Sequence, residues 1–362
     1  MIQAFAGATV FDGTSLQLNA VLLVEEGRVT GIADRVPEGA HLTTLSGGIL
    51  APGFLDLQVN GGGGEMVGAT TDAEQIARLC VVHGGLGATG ILPTLITDTP
   101  EVTVRVLAAA EQAVRTPGFL GLHLEGPHLD SRRKGAHDAN HIRPMTAADL
   151  ALYAGAARHL PALMITLAPA SVTPEQVAAL VSAGVIVSLG HAEATCAEVQ
   201  SLIAAGASCA THLFNAMSQL QGREPGMVGA VLSSGIAAGL IVDGQHVAWD
   251  TLKVSECMAV AGSTQDAFTL GDRHILRRAG RLTLADGTLA GADLTLAQAV
   301  GNLVRHVGLS PERALAMASS IPAQVIGRPD LGHLRRGAPA DFVHLTDEFT
   351  LAATWRGGVR LA

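Results

Sequence analysis

The chain has 362 residues, 48% of them hydrophobic and only 3% aromatic, enough for one large α/β domain with a smaller attachment. A formal net charge of −9 with no long basic run argues against nucleic acid or an anionic membrane as a general partner, while leaving room for a few Arg and His to bind an anionic metabolite. No run of about 18 apolar residues and no basic segment leading into an apolar one is seen, so the expectation is a cytoplasmic protein without a signal peptide.

Residues 1–50 read as short strands and turns: Ala8–Phe11, Ala20–Val24 and Arg28–Ile32, separated by Asp12-Gly13 and Glu26-Gly27. Residues 333–362 have the same texture, so the two ends are expected to form one small β domain around a larger domain of 51–332. Within the latter, strands and helices alternate. Strands are expected at 54–59, 90–96, 119–125, 163–167, 185–189, 209–213 and 239–243. Helices are expected at 72–83, 101–114, 147–159, 173–183 and 195–205, and Thr173-Pro-Glu-Gln176 carries a capping signature. Such alternation favours a parallel sheet and, with seven or eight units, a TIM-type (β/α)8 barrel.

One stretch stands out, Gly121-Leu-His-Leu-Glu-Gly-Pro-His-Leu-Asp130, followed by Lys134-Gly-Ala-His137. Glu125 would end a buried strand, where a lone carboxylate is costly unless a cation meets it. Two later strands also end in histidine, at His191 and His212. A single strand-end histidine is more often structural. One carboxylate and two imidazoles at three strand ends of one barrel make an open divalent-metal site, with a position left for water. Cys80, Cys196, Cys209 and Cys257 show no CxxC pair and read as reduced thiols. Cys209 does not share a strand face with His212 and reads as a core thiol.

The motifs Pro52–Gly61, His123–Pro127, Lys134–His137, Gly190-His191, Thr211–Met217, Gly222-Arg-Glu-Pro-Gly226 and Asp243-Gly-Gln-His-Val247 resemble, in order, those of the N-acetylglucosamine-6-phosphate deacetylases of the amidohydrolase superfamily. The resemblance implies a (β/α)8 barrel with a small β-sandwich domain formed by the N- and C-terminal segments. It implies hydrolysis of the acetamide of N-acetylglucosamine 6-phosphate to glucosamine 6-phosphate and acetate. Glu125, His191 and His212 take the metal positions, and Ala136, His137, Asn215, Ala216, Arg223, His246, Leu289, Ala290 and Gly291 the substrate positions. A homodimer is implied, with Arg223 reaching the neighbouring subunit's substrate. A bound cation would sharpen water as a nucleophile, and His137 would donate to the developing oxyanion.

Two departures bear on the chemistry. Where many amidohydrolases carry His-x-His, this chain has Gln58-Val-Asn60, which favours one divalent metal per subunit, zinc first and iron or another ion as alternatives. The family's usual proton-shuttling Asp at the eighth strand matches Glu256, in Ser255–Gly262, and only eight residues separate His246 from Ser255. Three readings stay open: Glu256 is the base, the site is impaired, or another carboxylate such as Asp266 substitutes. The competing functions are accordingly deacetylation of a related sugar such as N-acetylgalactosamine 6-phosphate, or binding of an amino-sugar phosphate by an impaired paralogue.

Overall fold

The computed structural model describes residues 1–255, 258–259, 267–270, 273–278, 281–283 and 289–361. Eight strands neighbour one another in sequence order: β1 (Phe54–Val59), β2 (Ala88–Ile96), β3 (Leu122–Glu125), β4 (Leu163–Leu167), β5 (Ile186–Leu189), β6 (Cys209–Ala210), β7 (Ala237–Leu240) and β8 (Met258–Ala259). Every pairing from β2 to β8 is parallel. Helices lie between them, α1 (Ala73–Gly85), α2 (Pro100–Gln112), α3 (Ala147–Ala156), α4 (Pro174–Ser182), α5 (Cys196–Ala204), α6 (Gly226–Ser234) and α7 (Trp249–Ser255). The fold is the expected TIM-type (β/α)8 barrel.

Local chemistry sets these boundaries. Thr146, Thr173 and Thr195 cap α3, α4 and α5, each in a reciprocal box with Asp149, Gln176 or Glu198. Register runs in one row through Ile96, Glu125, Thr166, Ser188, Cys209 and Ala237. That row carries Glu125 at the very end of β3.

Several strands are shorter than the sequence suggests. β3 begins at Leu122 rather than at 119, because Gly121 sits at φ +140°, where a Cβ would lie 2.1 Å from the Ala162 carbonyl oxygen. The expected strand 209–213 ends at Ala210, and the chain turns before His212. The expected strand 239–243 runs from Ala237 to Leu240, and Asp243 belongs to the following turn. The short connection after His246 accommodates a helix of seven residues, about 10 Å long, because β8 falls at Met258–Ala259, after Ser255. Glu256 lies outside the described residues, as do Cys257 and Asp266.

The chain divides into two units. The first comprises 1–56, 80–91 and 295–362. It holds a six-stranded sheet in which Phe342–Leu345 pairs with both Ile49–Pro52 and Leu351–Arg356. It also holds a four-stranded sheet built from Gln3–Ala6, Val21–Glu25, Arg28–Ala33 and His41–Thr44. Their core joins both ends of the chain: Trp355 stacks on Phe342 at 4.9 Å, and Phe5 meets Phe342 edge-on at 4.9 Å. The second unit, 57–79 and 92–294, holds the C-terminal end of every barrel strand. Among the described residues no helix is long and apolar enough to cross a membrane.

Candidate metal centre

Glu125, His191 and His212 converge at the C-terminal ends of β3, β5 and β6. Glu125 Oε1 lies 3.3 Å from His191 Nε2 and 3.1 Å from His212 Nε2, and the two nitrogens are 2.9 Å apart. Ligands held at 2.0–2.1 Å around a tetrahedral ion stand about 3.3 Å from one another, so this triangle has the dimensions of one face of such a site. The protonation pattern agrees. His191 Nδ1 lies 2.9 Å from the Arg133 carbonyl oxygen, which can only accept, so Nδ1 carries the proton and the Nε2 lone pair faces the other two atoms. The residues present therefore fit a divalent cation.

The backbone at both histidines is unusual. His191 has φ +49° and His212 φ +27°, in the left-handed region that non-glycine residues rarely enter. The strain is held by hydrogen bonds from Asp130 N–H to the His191 carbonyl at 3.0 Å and from Asn215 N–H to the His212 carbonyl at 2.9 Å. Each turn aims an imidazole from just beyond its strand back over the barrel end. This corrects the expectation that the two histidines are the last residues of their strands.

Three further side chains, each with a threonine partner, order the cluster. Gln58, at the end of β1, donates from Nε2 to Glu125 Oε1 at 2.9 Å and accepts from Thr211 Oγ1 at 2.5 Å. His137 points Nε2 at Glu125 Oε2, 3.5 Å away. Its Nδ1 accepts the Thr97 backbone N–H at 3.3 Å, with Thr97 Oγ1 at 2.9 Å, so the neutral ring carries its proton on Nε2 and is a donor toward the site. His123 donates from Nδ1 to the Leu57 carbonyl at 3.0 Å and accepts from Thr166 Oγ1 at 2.8 Å. Burial pushes its pKa down to about 4, which keeps it neutral two residues behind Glu125. Burial alone would raise the Glu125 carboxyl, but the facing imidazoles of His137, His191 and His212 outweigh it and hold the group well below the usual carboxylate range.

The remaining expected residues are placed unevenly. A Cβ built on Gly135 would lie 3.2 Å from His191 Cε1 and 3.9 Å from Ala216 Cβ, so the 135–137 loop and Ala216 close over the metal cluster. Ala216 also accepts Ala192 N–H, and Asn215 donates to the Leu213 carbonyl. His246 sits in the turn after β7, its Nδ1 2.6 Å from Asp243 Oδ2, while Asp243 Oδ1 accepts the N–H groups of Gln245 and His246. Arg223 lies on an exposed loop. Leu289–Gly291 belong to a strand of a separate antiparallel sheet. Cys209 is buried, and desolvation raises its thiol to about 11, as suits a core residue.

Thr97 and Thr211 were not singled out in the sequence, nor was Gln58 as a partner of Glu125. Their common signal is position: each is polar and falls at or just past the C-terminal end of a barrel strand.

Imidazoles and a carboxylate gathered on the C-terminal face of a parallel barrel define a metal-dependent class of protein, and comparison with known proteins gives the family. The family model described as "Amidohydrolase family" matches residues 49–361. The chain is 38% identical to an N-acetylgalactosamine-6-phosphate deacetylase of Shewanella sp. (strain ANA-3), over 97% of this chain and 94% of the relative. It is 33% identical to an N-acetylglucosamine-6-phosphate deacetylase of Haemophilus influenzae, over 87% of each. The crystal structure of N-acetylglucosamine-6-phosphate deacetylase from Pasteurella multocida superposes with a TM-score of 0.94 at 32% identity, covering 99% of both chains. This chain belongs to the amidohydrolase family, whose members are metal-dependent.

Proposed function

We propose that this chain hydrolyses the acetamide of N-acetylglucosamine 6-phosphate to glucosamine 6-phosphate and acetate, in amino-sugar catabolism. The observation that carries the reading is the convergence of Glu125, His191 and His212 with the His137 donor on the barrel end of a chain similar to such deacetylases. Glu125, His191 and His212 would hold one divalent ion, with zinc favoured by an N₂O ligand set. When bound, it would supply Lewis-acid polarisation and a nucleophile at neutral pH. His137, fixed as an Nε2 donor by Thr97, would hydrogen-bond the oxygen that gains charge as the acetamide carbonyl is attacked. His246, with Nδ1 engaged by Asp243, would present Nε2 to the sugar phosphate. Ala136, Asn215, Ala216 and Leu289–Gly291 would line the sugar. Glu256 is the proposed base.

A second substrate has support of its own, since the relative with 38% identity is named for N-acetylgalactosamine 6-phosphate. The two sugars differ at one hydroxyl stereocentre, which leaves the acetamide chemistry unchanged. We further propose a cytoplasmic homodimer in which Arg223, exposed on its own chain, reaches the phosphate in the neighbouring subunit. Residues 1–50 and 333–362 would form its small β domain. An arginine fork suits phosphate because it makes two charge-assisted bonds.

The test is steady-state acetate release from both sugar phosphates, by protein stripped of metal and then reconstituted with zinc. Zinc-restored turnover supports the reading, and the ratio of the two kcat/KM values assigns the sugar. Bound zinc with no acetate from either sugar overturns it in favour of a binding protein.

A further inference from the structure

Asp130 closes the stretch that opens at Gly121, and its carboxylate is buried, 4% exposed, beside an exposed Arg132. Its Oδ1 accepts Arg132 N–H at 2.9 Å and starts a one-turn 3-10 helix, Ser131–Arg133. Its Oδ2 accepts Glu193 N–H at 3.1 Å and Arg132 Nη2 at 2.7 Å. Arg132 Nη2 also donates to the Glu193 carbonyl at 2.8 Å, and Asp130 N–H donates to the His191 carbonyl at 3.0 Å. One carboxylate thus ties two chain segments together. The first offers the Arg133 carbonyl that receives His191 Nδ1–H. The second carries His191 itself at its left-handed φ of +49°.

We infer that Asp130 is the positioning residue for His191: its carboxylate fixes both the carbonyl that sets the imidazole's tautomer and the backbone turn that aims its Nε2 at Glu125. This rests on the reading of Glu125, His191 and His212 as a metal site. A left-handed non-glycine residue persists only where its surroundings over-determine it, and here Asp130 N–H holds the His191 carbonyl while the Asp130 carboxylate holds Glu193 N–H two residues on. Partners of ligating histidines generally change metal affinity by about 10–100-fold when removed. Asp130 does so at one remove, through backbone groups rather than by contact with the ring.

The test compares zinc affinity, by competition with a chromophoric chelator, in the full-length protein and three variants. Asp130→Asn places an amide donor among N–H groups, so zinc binding is expected to weaken about 10–100-fold. The visible absorption of the cobalt-loaded protein should shift as the His191 ligand field changes, which loss of general stability would not produce in the folded fraction. Arg132→Leu leaves the carboxylate in place but strips the guanidinium from the clamp, and is expected to weaken binding less, in the same direction. Because Arg132 is exposed, this variant should fold even if Asp130→Asn does not. Glu193→Gln removes only the exposed side-chain pair with Arg133, and zinc affinity should stay within about twofold.

Unchanged affinity and unchanged cobalt spectrum in both Asp130→Asn and Arg132→Leu would overturn the inference. So would an equal loss in Glu193→Gln, which would assign the effect to charge alone. Failure of the unsubstituted protein to bind zinc or cobalt would instead overturn the metal reading.

Discussion

His137 Nε2 and Glu125 Oε2 face each other at 3.5 Å, and the direction of that contact depends on a backbone N–H forty residues away in sequence, at Thr97. With Nδ1 accepting, His137 is a donor at the site and not a base, while His191 is pinned in the opposite tautomer by Arg133. The two rings, 4.4 Å apart between centroids, therefore have different chemistry despite being the same residue. If His137 is the proposed oxyanion donor and not a ligand, His137→Ala should lower kcat by about 10²–10³ with little change in zinc content. Metal analysis beside steady-state kinetics checks this, and loss of zinc in the variant would move His137 into the ligand set. That Glu125, His191 and His212 are candidates for one metal site was readable from sequence because carboxylate and imidazole are the residue types that hold such ions. Their tautomers were not, because each is set by a carbonyl or N–H from another loop.

Among the elements, the strand ends do most to build the site, and the glycines and caps around them fix where each strand stops. Gly121 admits β3 beside Ala162 only because it lacks a Cβ. Gly121→Ala should destabilise the protein by roughly 3 kcal/mol, since both the φ of +140° and the 2.1 Å approach to a backbone oxygen must be relieved. Chemical denaturation measures it, and a variant as stable as the parent would show that β3 can shift. At the start of α3, Asp149 completes a capping box with Thr146 and takes both Nη atoms of Arg143 at 2.6 Å. Hydrogen bonds from Arg143 hold its carboxyl far below the usual range. A folded pKa below the unfolded value of about 3.9 means that this contribution is present above pH 4 and is lost as pH falls through the folded pKa. Asp149→Asn should therefore lower Tm at pH 7, by about 2–4 °C, with the gap narrowing below pH 4. Thermal melts of both proteins at pH 7 and pH 3 test the sign. The caps at Thr146, Thr173 and Thr195 follow one local pattern, a threonine three residues before Asp, Gln or Glu, which is why helix starts are legible where strand ends are not.

At the scale of the whole molecule, the strands bring Gln58, Glu125, His191 and His212 together at one barrel end, and Arg223 lies on an exposed loop after β6. If Arg223 serves the neighbouring subunit's site, Arg223→Ala should raise KM for the sugar phosphate about 10–100-fold, with kcat close to that of the parent, as expected for loss of a charge-assisted bond to phosphate. Mixing Arg223→Ala with His137→Ala chains should then restore activity to some mixed dimers, since one of the two sites receives both intact residues. Kinetics on mixed and unmixed proteins, alongside sedimentation, decides it. No gain on mixing in a dimeric protein would confine Arg223 to its own chain.

The sequence by itself determined the barrel, the chain order of its strands and the candidate ligand types, because apolar periodicity, helix caps and the chemistry of Glu and His are local properties of the chain. It also carried the family, through motifs spread from Pro52 to Val247. Only the tertiary structure decided that His191 and His212 lie beyond their strands in left-handed turns, that Gln58 and Thr97 orient the cluster, and that Asp130 bonds both the His191 carbonyl and Glu193 N–H. Those facts depend on hydrogen bonds between segments tens of residues apart. Such bonds have no period or spacing in the sequence, and they exist only once the strands have been brought side by side.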